Sequence, residues 1–307
     1  MTFSFGSDPE FMLEQNGKIR SAIGVLKGDK DHPTKINDFG FYYDNVLAEC
    51  TIPPTYTNDD TLSTFRNCIR NLHDIVNPLK PIIKASHKYD KSEFWHEDAY
   101  KVYCVAENCC YSMKEIDQDE TIFNKTDLRS AGGHIHIGHP ELKKKWNGWI
   151  AGRLMDLFLG IPSVFLDDDP ASRTRKEIYG KAGRIRFTDY GIEYRSLSNF
   201  WLRSPKLVSF VFKASQKVVL LIESGDWINF WNIDEEKLAN RDNWKNKSFD
   251  PANCHYAIYD TDRLRKAINE SNKEIAFEYT HLLPKDLYNE MKSLEGIKFN
   301  SLKAEWQ

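Results

Sequence analysis

The chain has 307 residues, 41% hydrophobic and 28% charged, with a formal net charge of −3 at pH 7. That length suffices for a substantial core in one large domain or two small ones, and the composition is that of a soluble globular protein. The charge argues against a nucleic-acid partner held by bulk electrostatics. No apolar run approaches bilayer-spanning length and Met1-Thr2-Phe3-Ser4 lacks a charged and hydrophobic leader, so the expectation is a cytoplasmic protein with no membrane partner.

Residues 3–14 alternate as a strand that would place Asp8 and Glu10 on one face, with Pro9, which has no amide donor, marking an edge or an irregularity. Two carboxylates on one face repel unless a cation neutralises them. A solvated face is the plain alternative and a hard divalent metal the sharper one. Gln15-Asn16-Gly17-Lys18 is a turn signal, with a hairpin return from Ile19 to Val25. After a polar loop over 27–40, the β-rich run from Phe41 to Ile52 closes at Pro53-Pro54. As one strand it would put Tyr43, Asn45, Leu47 and Glu49 on a single face, which makes Glu49 a third acidic candidate. Residues 59–77 read as an amphipathic helix capped by Asn58 or Asp59, packed through Leu62, Phe65, Ile69, Leu72 and Val76, and stopped by Pro78. Residues 81–130 mix acidic loops with short strand-like runs such as Tyr100 to Ala106. His87 and His96 read as surface histidines.

In Ala131-Gly132-Gly133-His134-Ile135-His136-Ile137-Gly138 the period of two puts both histidines on one face and both isoleucines on the other. Two same-face imidazoles can hold a divalent metal, or one can hold metal while the other touches a phosphate or substrate; a half-buried strand with merely hydrogen-bonded histidines is the plain alternative. The glycines leave room for a ligand near the backbone. Pro140-Glu141 then opens a helix with a broad apolar face, ended by Gly160 and Pro162, in which Gly148 and Gly152 admit a close neighbour. From 173 to 195 seven basic residues (Arg173, Arg175, Lys176, Lys181, Arg184, Arg186 and Arg195) face three acids. Much of this reads as a hairpin, Arg184–Phe187 and Ile192–Leu197 around Asp189-Tyr190-Gly191, with Arg184 and Arg186 sharing a face, as do Glu193 and Arg195. Arginines gathered on strands of an acidic chain suit a polyanion or carboxylates; cross-strand ion pairing is the plain alternative. Ser204-Pro205 caps a helix to about Glu223, and charged helices follow after about Thr261. Six cysteines (Cys50, Cys68, Cys104, Cys109, Cys110 and Cys254) form no dense staple pattern and read as reduced structural thiols, with Cys104, Cys109 and Cys110 close enough to suggest a soft-metal site.

Asp8-Pro9-Glu10, Glu49, Gly133 to Gly138, the arginine cluster and Glu193-Tyr194-Arg195 follow one another in an order that resembles the carboxylate–amine ligases of the glutamine synthetase and glutamate–cysteine ligase fold. The likeness is in particular to the phage-type COOH–NH2 ligase family (type 2). Gly6–Phe11, Ala131–Gly138, Tyr179–Gly183 and Tyr190–Trp201 carry it, over about residues 3 to 202. The resemblance implies an α+β fold, a curved antiparallel sheet with helices on its convex face and two or three Mg²⁺ or Mn²⁺ ions with ATP on its concave face. Asp8, Glu10, Glu49, His134 and Glu193 would ligate the metals. His136 would face nucleotide phosphate or substrate, Arg195 with Arg184 and Arg186 would bind the transferred phosphoryl group or the substrate carboxylate, and Lys181, Arg173 and Arg175 would contact nucleotide. The superfamily usually has Glu-x-Glu where this chain has Asp8-Pro9-Glu10, which leaves open the metal that Asp8 serves. The implied reaction is ATP-dependent amide formation through an acyl phosphate, from a small-molecule or peptide carboxylate and an amine, in the host bacterial cytoplasm if phage-encoded. Oligomeric state stays open. A cupin-like single-metal protein leaves the arginines and Asp8/Glu10 unexplained; a non-catalytic phage-derived binding protein keeping the same sheet is the third reading. With no repeat or linker, one domain over 1–307 is expected, its helical C-terminal portion about 203–307.

Overall fold

The computed structural model describes residues 3–101, 107–116, 126–230 and 258–307; Cys104, Cys254 and most of the Tyr100–Ala106 run lie outside the described residues. In chain order the strands are β1 (Ser4–Gly6), β2 (Glu10–Gln15), β3 (Lys18–Arg20), β4 (Thr34–Ile36), β5 (Phe39–Asp44), β6 (Leu47–Thr51), β7 (Lys80–Ile82), β8 (Ser86–Lys88), β9 (Glu107–Cys109), β10 (Lys114–Ile116), β11 (Leu128–Ser130), β12 (Ile135–Gly138), β13 (Arg184–Phe187) and β14 (Gly191–Tyr194). They form one sheet in the order β1-β12-β14-β13-β9-β10 and a second in the order β3-β2-β6-β5-β4, with β7 beside β2 and a separate β8/β11 ribbon. Every strand pair is antiparallel, and with the helices this makes the α+β class expected.

The N-terminal run is two strands, not one. Pro9 cannot donate to a ladder, and the chain changes partners there: β1 pairs with β12, while β2 pairs with β6. The crossing is held by the Glu10 amide on the Gly132 carbonyl at 3.1 Å, the Cys50 amide on the Pro9 carbonyl at 3.1 Å and Ser7 Oγ on the His134 carbonyl at 2.6 Å. Asp8 and Glu10 therefore stand at the seam between the sheets. The Phe41–Ile52 run is also broken. Asn45 adopts φ 46° and turns the chain, so that β5 and β6 form a hairpin with Tyr42 opposite Glu49. Asparagine tolerates this left-handed conformation better than most residues.

Register in the first sheet is fixed by its apolar face. Ile135, Ile137, Ile185, Ile192 and Tyr194 are fully buried, worth ~1.5–3 kcal/mol per large aliphatic side chain. A one-residue slip would drive His136 and Glu193 into that core. His136 pairs across with Glu193, and Glu193 with Arg186, so one polar row crosses the opposite face.

Of the helices α1 (Asn58–Val76), α2 (Lys145–Met155), α3 (Ile161–Leu166), α4 (Ser172–Ile178) and α5 (Pro205–Ser224), α2 packs on β13 and β14, α1 on β7 and α5, and α4 on β8. The buried apolar residues of α1, α2, α3 and α5 join one hydrophobic cluster running from Phe5 to Trp306. Thr57, not Asn58 or Asp59, caps α1, accepting from the Asp60 amide. Gly160 and Pro162 do not end the helix. A π turn over Asp156–Gly160 carries it into α3, and the wider turn accommodates a proline that lacks its amide hydrogen. Gly160 is there for packing, since a Cβ would sit 2.7 Å from Ile268. The continuous Lys145–Leu166 helix is thus long and apolar enough to cross a membrane, contrary to the reading from sequence, but from Gly148 to Leu166 it is buried inside the protein. Gly148 and Gly152 do admit close neighbours, Phe187 and Cys110 with Ile185. Cys50, Cys68, Cys109 and Cys110 are free and buried.

Candidate functional site

At the seam of the two sheets a cavity is lined by Asp8, Glu10, Glu49, His134, Arg186 and Arg195, all singled out from sequence. Lys30 and Asp44 line it too, and sequence reasoning missed them; Asn45 and Tyr179, named from sequence only for a strand face and a motif, also line it. Asp44 was legible in principle: Asp44-Asn45 is a turn dipeptide, and the hairpin it closes carries Asp44 to the same face as Tyr42 and Glu49.

The acidic groups fall into two clusters. In the first, one ligand atom from each of Asp8, His136 and Glu193 lies within 4.8 Å of the others. His136 Nε2 is 3.3 Å from Asp8 Oδ1, and its Nδ1 is 2.7 Å from the Tyr190 hydroxyl. His134 touches the same group, with Nδ1 3.3 Å from both Asp8 Oδ1 and Glu193 Oε1. The second cluster is Glu10, Asp44 and Glu49, again within 4.8 Å of one another. Asp8 and Glu10 are separated by the proline and serve different clusters. The donor chemistry fits hard divalent cations: carboxylate oxygens with at most an imidazole or two suit Mg²⁺ or Mn²⁺, and Asp8 Oδ1, His136 Nε2 and Glu49 Oε2 are buried without a hydrogen bond.

The clusters differ electrostatically. Burial opposes ionisation of Asp8, but the neighbouring His134 and His136 overcome it and hold its carboxyl below the usual range. Burial likewise opposes Glu193, and the adjacent His134 imidazole and Arg195 nonetheless lower it to about 2. Burial, reinforced by Asp44 and Asp8, raises Glu10 to about 7. Glu49 is pushed well above its ordinary value by burial and by Asp44, Asp8 and Glu10. The first cluster is thus charge-balanced by histidine and arginine, and the second is an excess of negative charge.

Arg186 pairs with Glu193 at 3.0 Å, and Arg195 pairs with Glu193 and with the Tyr179 hydroxyl. Arg184 lies one step away, paired with Glu107 at 3.3 Å, and does not line the cavity. Arg175 is fully buried and donates to the Ala131 carbonyl at 3.2 Å and the Ser196 carbonyl at 3.0 Å. Arg173 and Lys181 are exposed and do not line the cavity. Gly132 and Gly133 make room for protein rather than ligand. A Cβ on Gly132 would lie 2.6 Å from His134 Nε2, and one on Gly133 would meet the Trp201 indole.

Residues 125–234 match the model of a family described as phage phiEco32-like COOH.NH2 ligase-type 2. The match supports the family that the motif order resembles, and that family name indicates a ligase. The matched stretch carries His134, His136, Glu193 and the site arginines; Asp8, Glu10, Asp44 and Glu49 precede it. No curated protein matches the chain.

Proposed function

We propose that the protein is an ATP- and divalent-metal-dependent carboxylate–amine ligase with a glutamine synthetase-like catalytic sheet, forming an amide through an acyl phosphate. The observation that carries this reading is that Glu10, Asp44 and Glu49, together with Asp8, Arg186 and Arg195, line one cavity, while His136 and Glu193, which do not line it, complete a second cation-suited cluster on Asp8. A carboxylate is a poor acyl donor because its leaving group would be oxide. In the proposed sequence the ATP γ-phosphoryl group passes to a carboxylate oxygen and leaves ADP. The amine nitrogen then attacks the acyl carbon, sheds a proton and expels inorganic phosphate.

Asp8, His136 and Glu193 would hold one cation and Glu10, Asp44 and Glu49 another, with His134 beside the first. Bound there, the ions would neutralise polyphosphate charge and the charge that develops in transfer. Arg195 and Arg186 would present guanidinium donors to the same oxygens, and a fixed fork suits phosphate and carboxylate alike. Holding these groups in place is most of what phosphoryl transfer asks of a protein. A cupin-like reading needs one metal, and it leaves the second cluster without a role.

The test is thermal stabilisation by Mg²⁺ with a non-hydrolysable ATP analogue, paired with a screen for ADP release over pooled amino acids and amines. The shift is expected in the native protein and lost in Glu193→Gln. No shift with any nucleotide, or the same shift in Glu193→Gln, refutes the proposal.

A further inference from the structure

Glu107, at the start of β9, is 2% exposed and does not line the cavity. Its two oxygens face two arginines: Oε1 is 3.3 Å from Arg184 Nε, and Oε2 is 3.4 Å from Arg195 Nε. Those arginines are neighbours across the sheet, with the Arg195 amide on the Arg184 carbonyl at 2.9 Å. Two like charges in that relation repel. The full row is Arg184, Glu107, Arg195, Glu193, Arg186, alternating in sign, and Arg195 sits between two carboxylates. On one side is Glu193, which also belongs to the Asp8–His136 cluster. On the other is Glu107, which no motif marks. The remaining Arg195 nitrogen is on the Tyr179 hydroxyl, and the Tyr179 ring packs between Arg195 and Arg175 at 5.5 and 5.4 Å.

We propose that Glu107 is a positioning residue: it shares the Arg195 guanidinium with Glu193, so that Glu193 stays available to the Asp8–His136 cluster while Arg195 stays at the cavity wall. The proposal rests on the ligase reading for the use made of that cluster, but not for the contact itself. With the charge at Glu107 removed, Arg195 has one carboxylate left to pair with and is drawn onto Glu193, the residue a cation must share. The Glu107 contact is ionic, since neither Glu107 Oε2 nor Arg195 Nε makes a hydrogen bond, so charge rather than shape is what the substitution should remove.

The experiment compares native protein, Glu107→Gln and Glu107→Asp by side-chain ¹⁵Nε NMR of arginine in metal-free protein and by Mn²⁺ titration. Expected in Glu107→Gln are a shifted, faster-exchanging Arg195 Nε–H signal and Mn²⁺ affinity lower by ~10-fold, the lower end of what losing an outer-shell partner costs. Glu107→Asp, which keeps the charge, should recover most of both. An unchanged Arg195 signal in Glu107→Gln overturns the proposal, as does a Glu107→Asp variant that behaves like Glu107→Gln. Native protein that takes up no Mn²⁺ counts against the ligase reading instead, and the metal-free Arg195 signal then decides the Glu107 proposal by itself.

Discussion

Replacing Glu49 by glutamine tests whether the acidic cluster is built to hold a cation. Glu49 is 2% exposed, its Oε2 makes no hydrogen bond, and it offers an oxygen within 4.8 Å of both Glu10 and Asp44. At an effective dielectric of about 20, two unit charges at that separation repel by ~3.5 kcal/mol. Full ionisation of all three carboxyls is therefore disfavoured, and Lys30 at the cavity wall offsets only part of it. A carboxyl whose pKa is raised on folding holds its proton more tightly in the native state, so stability is full below the unfolded value and lost as pH rises. Glu49→Gln keeps the shape and removes that loss. Proton sharing caps the repulsion near that of one pair, so the gain at pH 8 without metal is ~1–3 kcal/mol. Unfolding entropy for a chain of this length is about 0.6 kcal/mol/K, which converts the gain to a Tm higher by ~2–5 °C. Magnesium should reverse the order, because the native protein gains stability and the variant lacks a ligand. Scanning fluorimetry in EDTA and in Mg²⁺, at pH 8 and pH 5, reads all of this; at pH 5 the EDTA difference should vanish. A variant that melts lower than native in EDTA at pH 8, with an undiminished response to Mg²⁺, would refute the reasoning.

Two further outcomes follow from the same residues. Gly180 has φ 70°, and a Cβ there would collide with the buried Arg175 guanidinium. Gly180→Ala should therefore cost ~2–4 kcal/mol in urea unfolding, from left-handed strain plus disturbed Arg175 hydrogen bonds; a cost under ~0.5 kcal/mol would show that the loop relaxes freely. In metal-free protein, Glu193 (from 4.5 to about 2) adds ~3 kcal/mol that is lost as pH falls from 4.5 towards 2. Glu10 (from 4.5 to about 7) removes ~3 kcal/mol as pH rises from 4.5 towards 7. Denaturation against pH should peak near pH 5 and fall towards neutrality, with the fall abolished by Mg²⁺; a flat profile between pH 5 and 8 in EDTA would contradict it.

What could be seen beforehand depended on whether local pattern or distant pairing set a residue's direction. The His-x-His strand and the Arg184–Tyr194 hairpin read correctly because alternation fixes the facing of a side chain once one face is apolar, and here both elements supply isoleucines for that face. Arg175 and Arg195 belong to the same basic run, yet the first lies on helix α4 and is spent on two backbone carbonyls, while the second follows β14 and reaches the cavity. Composition treats them alike; what separates them is that one sits in a helix and the other continues the β14 strand towards the cavity. Asp44 was hidden by taking a turn for the middle of a strand, and that error also misassigned the face of the hairpin. Glu107 carried no local signal, and the signal at Gly133 pointed to a ligand rather than to protein, since what gives each its place is a residue far along the chain, Arg195 for one and Trp201 for the other. The same holds for the clusters themselves. Glu10 meets Glu49 and His136 meets Glu193 as direct cross-strand partners in two different sheets, and the seam at Pro9 brings the two pairs together. A residue there with an amide to donate could continue the ladder into β2, and a continued ladder would keep Asp8 and Glu10 on one strand face, serving one cluster rather than two.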